Sequence, residues 1–330
     1  MRGLKIILFF GAVFLLSTNL FAQKKIIFDT DFGGDADDLG ALAMLHSFID
    51  KEECDLLAIM CWSTEMYAIS AMDAVNSFYK HPNIPMGTRK DSIQFVPWNY
   101  SKPIVDKFPH KKTHQNVLDA TVLYRQILTK SADKDITIVT VGPLKNIQNL
   151  INSKPDSISE FTGKQLIEQK VKEFVIMGGK YPAGKWEWNF SGAMEGVTKF
   201  VIPEITVPIT FSGFEVGLPI KTGKVFNKID KNTPLYVGFL HFSNNAPWMK
   251  EYYNGKIIDN ASFDQTAVLY AVRGGINEYW TKVSGSTCLP NEKGGNKWIK
   301  DMNSNHSYLK LKMDEEKLAS IIESIMLSDF

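Results

Sequence analysis

The chain has 330 residues, of which 44% are hydrophobic, and its 37 Lys and Arg nearly balance its 36 Asp and Glu. This length allows one large core or two domains, and the balanced charge excludes a basic surface that would recruit nucleic acid. Three cysteines, without a CxxC or HExxH pattern, indicate neither a disulfide framework nor a zinc site. We therefore expect a small neutral partner, or one that long-range charge does not select.

The N-terminus is typical of a secretory signal peptide. Arg2 and Lys5 precede an apolar run from Ile6 to Leu16, and the segment ends in the small residue Ala22. The apolar run is short for a bilayer span, which needs about 20 residues. We expect cleavage after Ala22, export to the periplasm or the outside, and one catalytic domain over 23–330 without membrane attachment. An uncleaved membrane anchor is the alternative.

Short apolar strands alternate with amphipathic helices along the rest of the chain. The predicted strands are Lys24–Phe28, Asp55–Met60, Ile136–Val141, Phe174–Met177 and Ile209–Phe211. The predicted helices are Asp38–Ile49, Met66–Tyr79, Asp119–Lys130, Leu144–Asn152, Ala193–Val201, Asp264–Val272 and Asp314–Met326. This alternation predicts an α/β fold with an open, mostly parallel (mixed) sheet and helices on both faces. The segment Pro82–Thr113 is rich in Pro, Lys and His and is expected to form surface loops.

Five aspartates lie between the first strand and the first helix, at Asp29, Asp31, Asp35, Asp37 and Asp38. A helix macrodipole favours carboxylates at its N-terminus by about 0.3–1 kcal/mol each, which explains one or two of them as caps. The others repel one another unless a cation joins them, and hard oxygen ligands select Ca²⁺ or Mg²⁺. The turn therefore predicts a divalent metal site, with a solvated acidic loop as the alternative.

Other acidic or glycine-rich motifs fit this turn less well. An EF-hand needs a glutamate at position twelve of its loop, and counting from Asp29 that position is Gly40. No GxGxxG or GxxxxGK[ST] pattern indicates a dinucleotide or P-loop site. A strand-end DxD also occurs in aspartate-nucleophile phosphatases. That class remains an alternative, although its further motifs are not assembled here.

Four sequence blocks that follow one another along the chain are informative when they are taken together. Asp29-Thr30-Asp31-Phe32-Gly33, followed by Asp37-Asp38, is similar to a DxDPGxDD signature, with Phe32 replacing the proline and two extra residues. The others are TVGPLKNI (Thr140–Ile147), VIMGG (Val175–Gly179) with EWN (Glu187–Asn189), and FDQTAVLYA (Phe263–Ala271). Together they resemble the blocks of the inosine–uridine preferring nucleoside hydrolase family. The resemblance covers residues 24 to about 272 and implies a single-domain, Rossmann-like fold of the nucleoside hydrolase type.

The resemblance implies a calcium site. Asp31 would touch the metal and act as general base on a metal-bound water. Asp38, Asp264 and the backbone carbonyl of Val141 would be further ligands. Taken alone, Asp264 has a simpler explanation, because an aspartate that starts a helix is often only a cap.

The resemblance also implies a sugar site. Asp37, Met177, Glu187 and Asn189 would hold the ribose hydroxyls of a small ribosyl substrate, and Asp29 would orient its neighbours. Glu187 could instead be a surface acid, and Asn189 could cap the following helix, a role that is compatible with ribose binding. The implied activity is calcium-dependent hydrolysis of N-glycosidic bonds in ribonucleosides or related ribosyl compounds. Carboxylates suit it because such cleavage builds positive charge on the sugar.

The leaving-group side departs from the family pattern. The family commonly has a histidine before the late aspartate, thought to protonate the departing base, and this chain has Phe263 there. His110 is a possible substitute acid, although a lone loop histidine is more often solvated. Stacking by Trp62, Trp186 or Trp188 is another possibility. The alternative functions are an unusual ribosyl substrate or a non-catalytic ribose-binding or nucleoside-binding protein, and a homo-oligomer stays open.

Overall fold

The computed structural model describes residues 23–192 and 194–328. The signal peptide predicted for residues 1–22 lies outside these ranges. In them the strands are β1 (Lys24–Thr30), β2 (Cys54–Cys61), β3 (Met86–Thr88), β4 (Leu118–Asp119), β5 (Ile136–Thr140), β6 (Val171–Met177), β7 (Ala183–Gly184), β8 (Ile209–Ser212), β9 (Lys221–Thr222), β10 (Asn260–Ala261), β11 (Trp280–Val283), β12 (Ser286–Pro290), β13 (Asn296–Lys300) and β14 (His306–Leu311).

The helices of the same ranges surround these strands. They are α1 (Asp37–Asp50), α2 (Ala68–Phe78), α3 (Ser101–Lys107), α4 (Ala120–Lys130), α5 (Lys145–Asn152), α6 (Gly163–Lys170), α7 (Trp188–Ser191), α8 (Val197–Glu204), α9 (Phe214–Gly217), α10 (Pro234–Asn245), α11 (Phe263–Arg273) and α12 (Glu315–Met326). Two short 3₁₀ turns, Lys224–Lys228 and Lys250–Tyr252, flank α10.

Nine strands form one sheet in the order β11-β14-β8-β6-β5-β1-β2-β3-β4. Every neighbouring pair is parallel except β11 and β14, which are antiparallel. In the register, Asp29 lies beside Met60 of β2 and Thr140 of β5. The carboxyl ends of three central strands therefore meet at one edge, where ligands bind in open sheets of this kind.

Successive residues of the central strands face opposite sides of the sheet. Ile26 and Phe28 of β1 join a buried apolar cluster with α1, α2, α10, α11 and α12. Ile27 joins a second cluster with α4, α5, α6 and α8 on the other face. This is the period-2 alternation of a strand that is buried on both faces. The structure thus confirms the predicted fold class.

Helix α1 is more deeply buried than its sequence indicates. The helical spacing of Leu39, Leu42, Leu45 and Ile49 predicts one apolar face, but every residue from Asp37 to Phe48 is buried. The reason is that α1 packs against the sheet and also against α10, α11 and α12. The two aspartates at its N-terminus are therefore removed from solvent together with the helix.

Two predictions about secondary structure are partly wrong. Helix α8 begins at Val197, because Gly196 has a φ of +80°, outside the helical region; Ala193 itself lies outside the described residues. Pro82–Thr113 is not wholly irregular, because it contains β3 and α3 and buries Tyr100 and Ile104 completely.

All three cysteines are buried free thiols, and Cys54 and Cys61 stand at the two ends of β2. Extended residues rise about 3.3 Å each, so these two thiols are far beyond disulfide reach of one another. Within residues 23–192 and 194–328, no helix has the length and apolar content needed to cross a bilayer.

Candidate active site

The turn between β1 and α1 is fixed by aromatic packing. Phe32, which replaces the proline of the family signature, is fully buried and meets the Tyr100 ring edge-on, with centroids 5.2 Å apart. The Tyr100 hydroxyl accepts a hydrogen bond from the Gly33 amide at 3.1 Å. Gly33 has a φ of +114°, and a Cβ there would collide with Asn99 and Ser101. Full burial of a phenylalanine contributes about 1.5–3 kcal/mol, so Phe32 anchors the turn without a proline.

Three carboxylates converge beyond this turn. Asp37 and Asp38 begin α1, Asp264 lies in the first turn of α11, and oxygens of the three lie within 4.8 Å of one another. All three side chains are buried, and the Thr30 hydroxyl donates to Asp38. Burial, and then the charges of neighbouring carboxylates, raises the pKa of each well above its usual range. A group of buried oxygen donors that repel one another fits a hard divalent cation.

Asp31 follows the last residue of β1 and lies beside this group. Its Oδ2 accepts a hydrogen bond from the Trp188 indole nitrogen at 2.8 Å. Its Oδ1 faces the turn after β5, where a Cβ on Gly142 would come within 3.0 Å of it. Burial raises the pKa of Asp31 to about 6, although the Trp188 bond opposes the shift. One carboxylate oxygen is thus held by an indole while the other lies against a glycine turn.

Asp29 faces away from the three carboxylates and is tied to two helices. Its carboxylate accepts from the Tyr124 hydroxyl at 2.8 Å and from the Asn146 amide at 2.9 Å. Burial raises its pKa to about 7, against the effect of both hydrogen bonds. This geometry agrees with the orienting role implied for Asp29, which stays a prediction. Tyr124 and Asn146 were missed, although Asn146 stands in the block TVGPLKNI.

Glu187 organises the loop after β6. It is buried, and its carboxylate accepts backbone N–H groups of Gly179 at 2.9 Å, Asn189 at 2.9 Å and Phe190 at 3.1 Å. Burial raises its pKa to about 7. Glu187 is therefore not a surface acid. It caps α7 and closes the loop, and its contact with ribose stays a prediction.

Asn189 joins the ends of β5 and β6. Its amide donates to the Val141 carbonyl at 2.9 Å and to the Met177 carbonyl at 3.1 Å. The Val141 carbonyl, an implied metal ligand, therefore has Asn189 as a partner and keeps a second lone pair. The structure places the predicted sugar residues Met177, Glu187 and Asn189 together at the carboxyl ends of these strands.

The aspartate outside the family signature has a structural role. Asp35 accepts from the Asn260 side chain and, at 3.4 Å, from the Asp37 amide. These contacts tie the segment before α1 to β10, and the N-cap of α1 is Ala36 rather than Asp35.

Apart from Trp188, the candidate acid and the candidate stacking residues are less closely tied to the carboxylates. His110 is half-buried, with Nδ1 3.3 Å from the Phe108 carbonyl. The Phe263 ring stacks on Phe214 at 4.9 Å between centroids. The Trp62 ring is covered by the Arg89 guanidinium, 5.0 Å from its centroid, and Trp186 is 58% exposed. No described hydrogen bond joins His110 to the aspartates, and its role as an acid stays a prediction.

A sequence model of the inosine-uridine preferring nucleoside hydrolase family matches residues 26–318. The chain belongs to this family. It is accordingly an N-glycosyl hydrolase of a metal-dependent family that acts on small ribosyl substrates. The convergence of Asp37, Asp38 and Asp264 is the structural counterpart of that assignment.

Solved structures share the fold of this nucleoside hydrolase at low sequence identity. A plant nucleoside hydrolase, PpNRh1, is 18% identical with a TM-score of 0.63, and the match covers 92% of this chain and 98% of that one. A purine-preferring ribonucleoside hydrolase from Gardnerella vaginalis is 17% identical with a TM-score of 0.65 and the same coverage. The type III effector XopQ, complexed with adenosine diphosphate ribose, is 12% identical with a TM-score of 0.61, covering 92% of each chain. No curated protein sequence matches this chain.

Proposed function

We propose that this nucleoside hydrolase is exported and uses calcium to hydrolyse N-glycosidic bonds in ribonucleosides or related ribosyl compounds. The observation that carries the proposal is the meeting of Asp37, Asp38 and Asp264 beside Asp31, at the edge of the sheet where ligands bind.

Calcium fits the donor set. Asp31, Asp38, Asp264 and the Val141 carbonyl would hold the ion, and Asp37 belongs to the same group of oxygens. All are oxygen donors, which Ca²⁺ takes six to eight at a time. Burial, and then the charges of neighbouring carboxylates, raises the pKa of Asp38 and Asp264, and a bound cation would offset both effects. When bound, such a cation would lower the pKa of a coordinated water molecule, which would ease removal of its proton by a nearby base.

The side chains of the protein perform the remaining steps. Asp31 accepts the proton of the attacking water, with its other oxygen held by the Trp188 indole. The surrounding carboxylates stabilise the positive charge that develops on the sugar. Asp37, Glu187 and Asn189, with Met177, bind the ribose hydroxyls, and such contacts reject sugars that lack them.

The leaving group faces a different environment. Phe263 and Phe214 offer a stacked aromatic pair and no proton donor. His110 is the candidate acid for the departing base, as its place in the loop before α4 suggests.

The experiment that tests this function is ribose release by the purified protein. The panel contains purine and pyrimidine nucleosides and, because one structural relative was solved with it, ADP-ribose. We expect release from at least one compound with Ca²⁺ and loss of release with chelator. Binding without turnover would instead favour a ribose-binding protein. Release of phosphate from an added phosphate monoester, through a phospho-aspartate, would favour a phosphatase.

Export rests on the N-terminal sequence alone. Arg2, Lys5 and the apolar run before Ala22 support cleavage and secretion. Mass spectrometry of the protein from the cell envelope or medium should give a chain that begins at Gln23, and an uncut N-terminus would contradict the proposal.

A further inference from the structure

A hairpin from a distant part of the chain lies against the loop that carries the sugar residues. The loop comprises residues 178–192 and is called the EWN loop below. The hairpin is formed by β12 and β13, and β13 also pairs with β7 inside the loop. Sequence reasoning assigned no role to this hairpin.

Asn296 is the main contact between the two. It is only 2% exposed, and its Oδ1 accepts from the Lys180 amide at 2.9 Å while its Nδ2 donates to the Lys180 carbonyl at 2.9 Å. One side chain therefore satisfies both backbone groups of one loop residue. The fit is tight, because a Cβ on Gly179 would lie 3.0 Å, and one on Gly184 3.1 Å, from the same oxygen.

The hairpin also holds the loop at its second end. The Gly294 carbonyl accepts from the Glu187 amide at 3.0 Å, and Gly294 packs against Ser191. Further along, the Trp298 amide donates to the Pro182 carbonyl at 2.8 Å. Both ends of the EWN loop are thus fastened to the same two-stranded unit.

The fastened positions are adjacent to those that reach the site. Gly179, next to Lys180, donates to the Glu187 carboxylate, while Trp188 and Asn189 donate to Asp31 and to the Val141 carbonyl. A shift of the loop at Lys180 would therefore move the groups expected to contact ribose. The cluster of Asp37, Asp38 and Asp264 is built from other elements, α1 and α11.

We propose that Asn296 is a positioning residue for ribose recognition, which fixes the EWN loop and thereby sets substrate affinity without setting metal affinity. The inference rests on the proposed function and adds the element that shapes its sugar site. Asn296 acts through Lys180 and the loop, not by touching substrate.

The test compares Asn296→Ala with two matched variants. Asn303→Ala removes an exposed asparagine from the turn between β13 and β14. Asn296→Asp keeps the oxygen that accepts from Lys180 and loses the donor. Each variant is compared with the wild type in KM and kcat on the best substrate of the panel, in the Kd for calcium, and in hydrogen exchange.

For Asn296→Ala we expect KM to rise about tenfold, which is typical when a supporting contact is lost, with the calcium Kd within about twofold of wild type. Exchange should quicken at the amides of Gly179, Glu187 and Asn189 and stay unchanged at Asp38. Asn296→Asp should be intermediate, and Asn303→Ala should resemble wild type.

Two results would overturn the inference. One is an unchanged KM with unchanged exchange in the loop. The other is a loss of calcium affinity as large as the rise in KM, which indicates general damage to the fold. If the wild type hydrolyses nothing in the panel, the proposed function fails, while the exchange experiment still decides whether Asn296 holds the loop.

Discussion

The aspartate turn, residues 29–38, and the EWN loop, residues 178–192, form two halves of one site and are held in different ways. The turn follows the central strand and leads directly into the buried helix α1, so its position is set mainly by its own neighbours in sequence. The EWN loop is fastened by a hairpin more than a hundred residues away. The first half is fixed by local packing and holds carboxylates that repel one another. The second half depends on contacts with residues that are distant in sequence.

The largest expected effect comes from removing a carboxylate of the aspartate half. Asp264→Asn should lower kcat/KM on the order of 10³-fold, because metal coordination contributes several kcal/mol to transition-state stabilisation. The same change should raise the Tm of the chelator-treated protein by about 2 °C, because one of three repelling buried carboxylates is gone.

A substitution that lowers activity but raises the stability of the metal-free protein is expected only in the aspartate half. Glu316→Gln, which changes an exposed carboxylate on α12, should alter neither quantity. A lower Tm for Asp264→Asn in chelator would show that repulsion does not dominate the group.

A smaller effect is expected where the two halves touch. Trp188→Phe keeps an aromatic ring and removes the indole N–H that holds Asp31. A hydrogen bond to a charged group contributes about 1.5–3 kcal/mol, so kcat should fall about tenfold or more, with little change in calcium affinity. Trp186→Phe, in the exposed neighbour, is the control. Equal kcat values for Trp188→Phe and Trp186→Phe would show that the Trp188 indole does not contribute to catalysis.

The smallest effect is a pH dependence of stability in the loop half, measured with saturating calcium. Burial raises the pKa of Glu187 from 4.5 to about 7, so the native state binds more protons than the unfolded state between these values. Its contribution is fully present below about pH 4.5 and is lost as pH rises through 7. Urea unfolding should therefore give a lower free energy at pH 8 than at pH 5, by at most about 1.4 kcal/mol per pH unit from this group.

Glu187→Gln should reduce this slope without abolishing it, because Glu65 is also buried, with its pKa raised to about 7. An unchanged slope in the variant would mean that Glu187 is ionised in the folded protein at pH 5.

The two halves also differ in how far the sequence predicts them. The strand before Asp29 and the helix after Asp38 are visible as an apolar run and a periodic segment, and the spacing of the aspartates indicates a metal. The family resemblance identifies Glu187 and Asn189 as site residues, but it does not predict the hydrogen bonds by which they close the loop. The role of Asn296 cannot be predicted from the sequence, because its hydrogen bonds to the distant Lys180 backbone leave no local pattern.

The meeting of Asp38 with Asp264 has a consequence for the chain as a whole. The two residues are separated by most of the sequence, and their helices belong to opposite ends of it. An ion bound by both would close a very long loop of the chain. Such a closure lowers the conformational entropy of the unfolded chain, as a covalent crosslink does. The three thiols of the protein are buried and free, so the cation would act as a reversible crosslink. Its loss would destabilise α1 and α11 together.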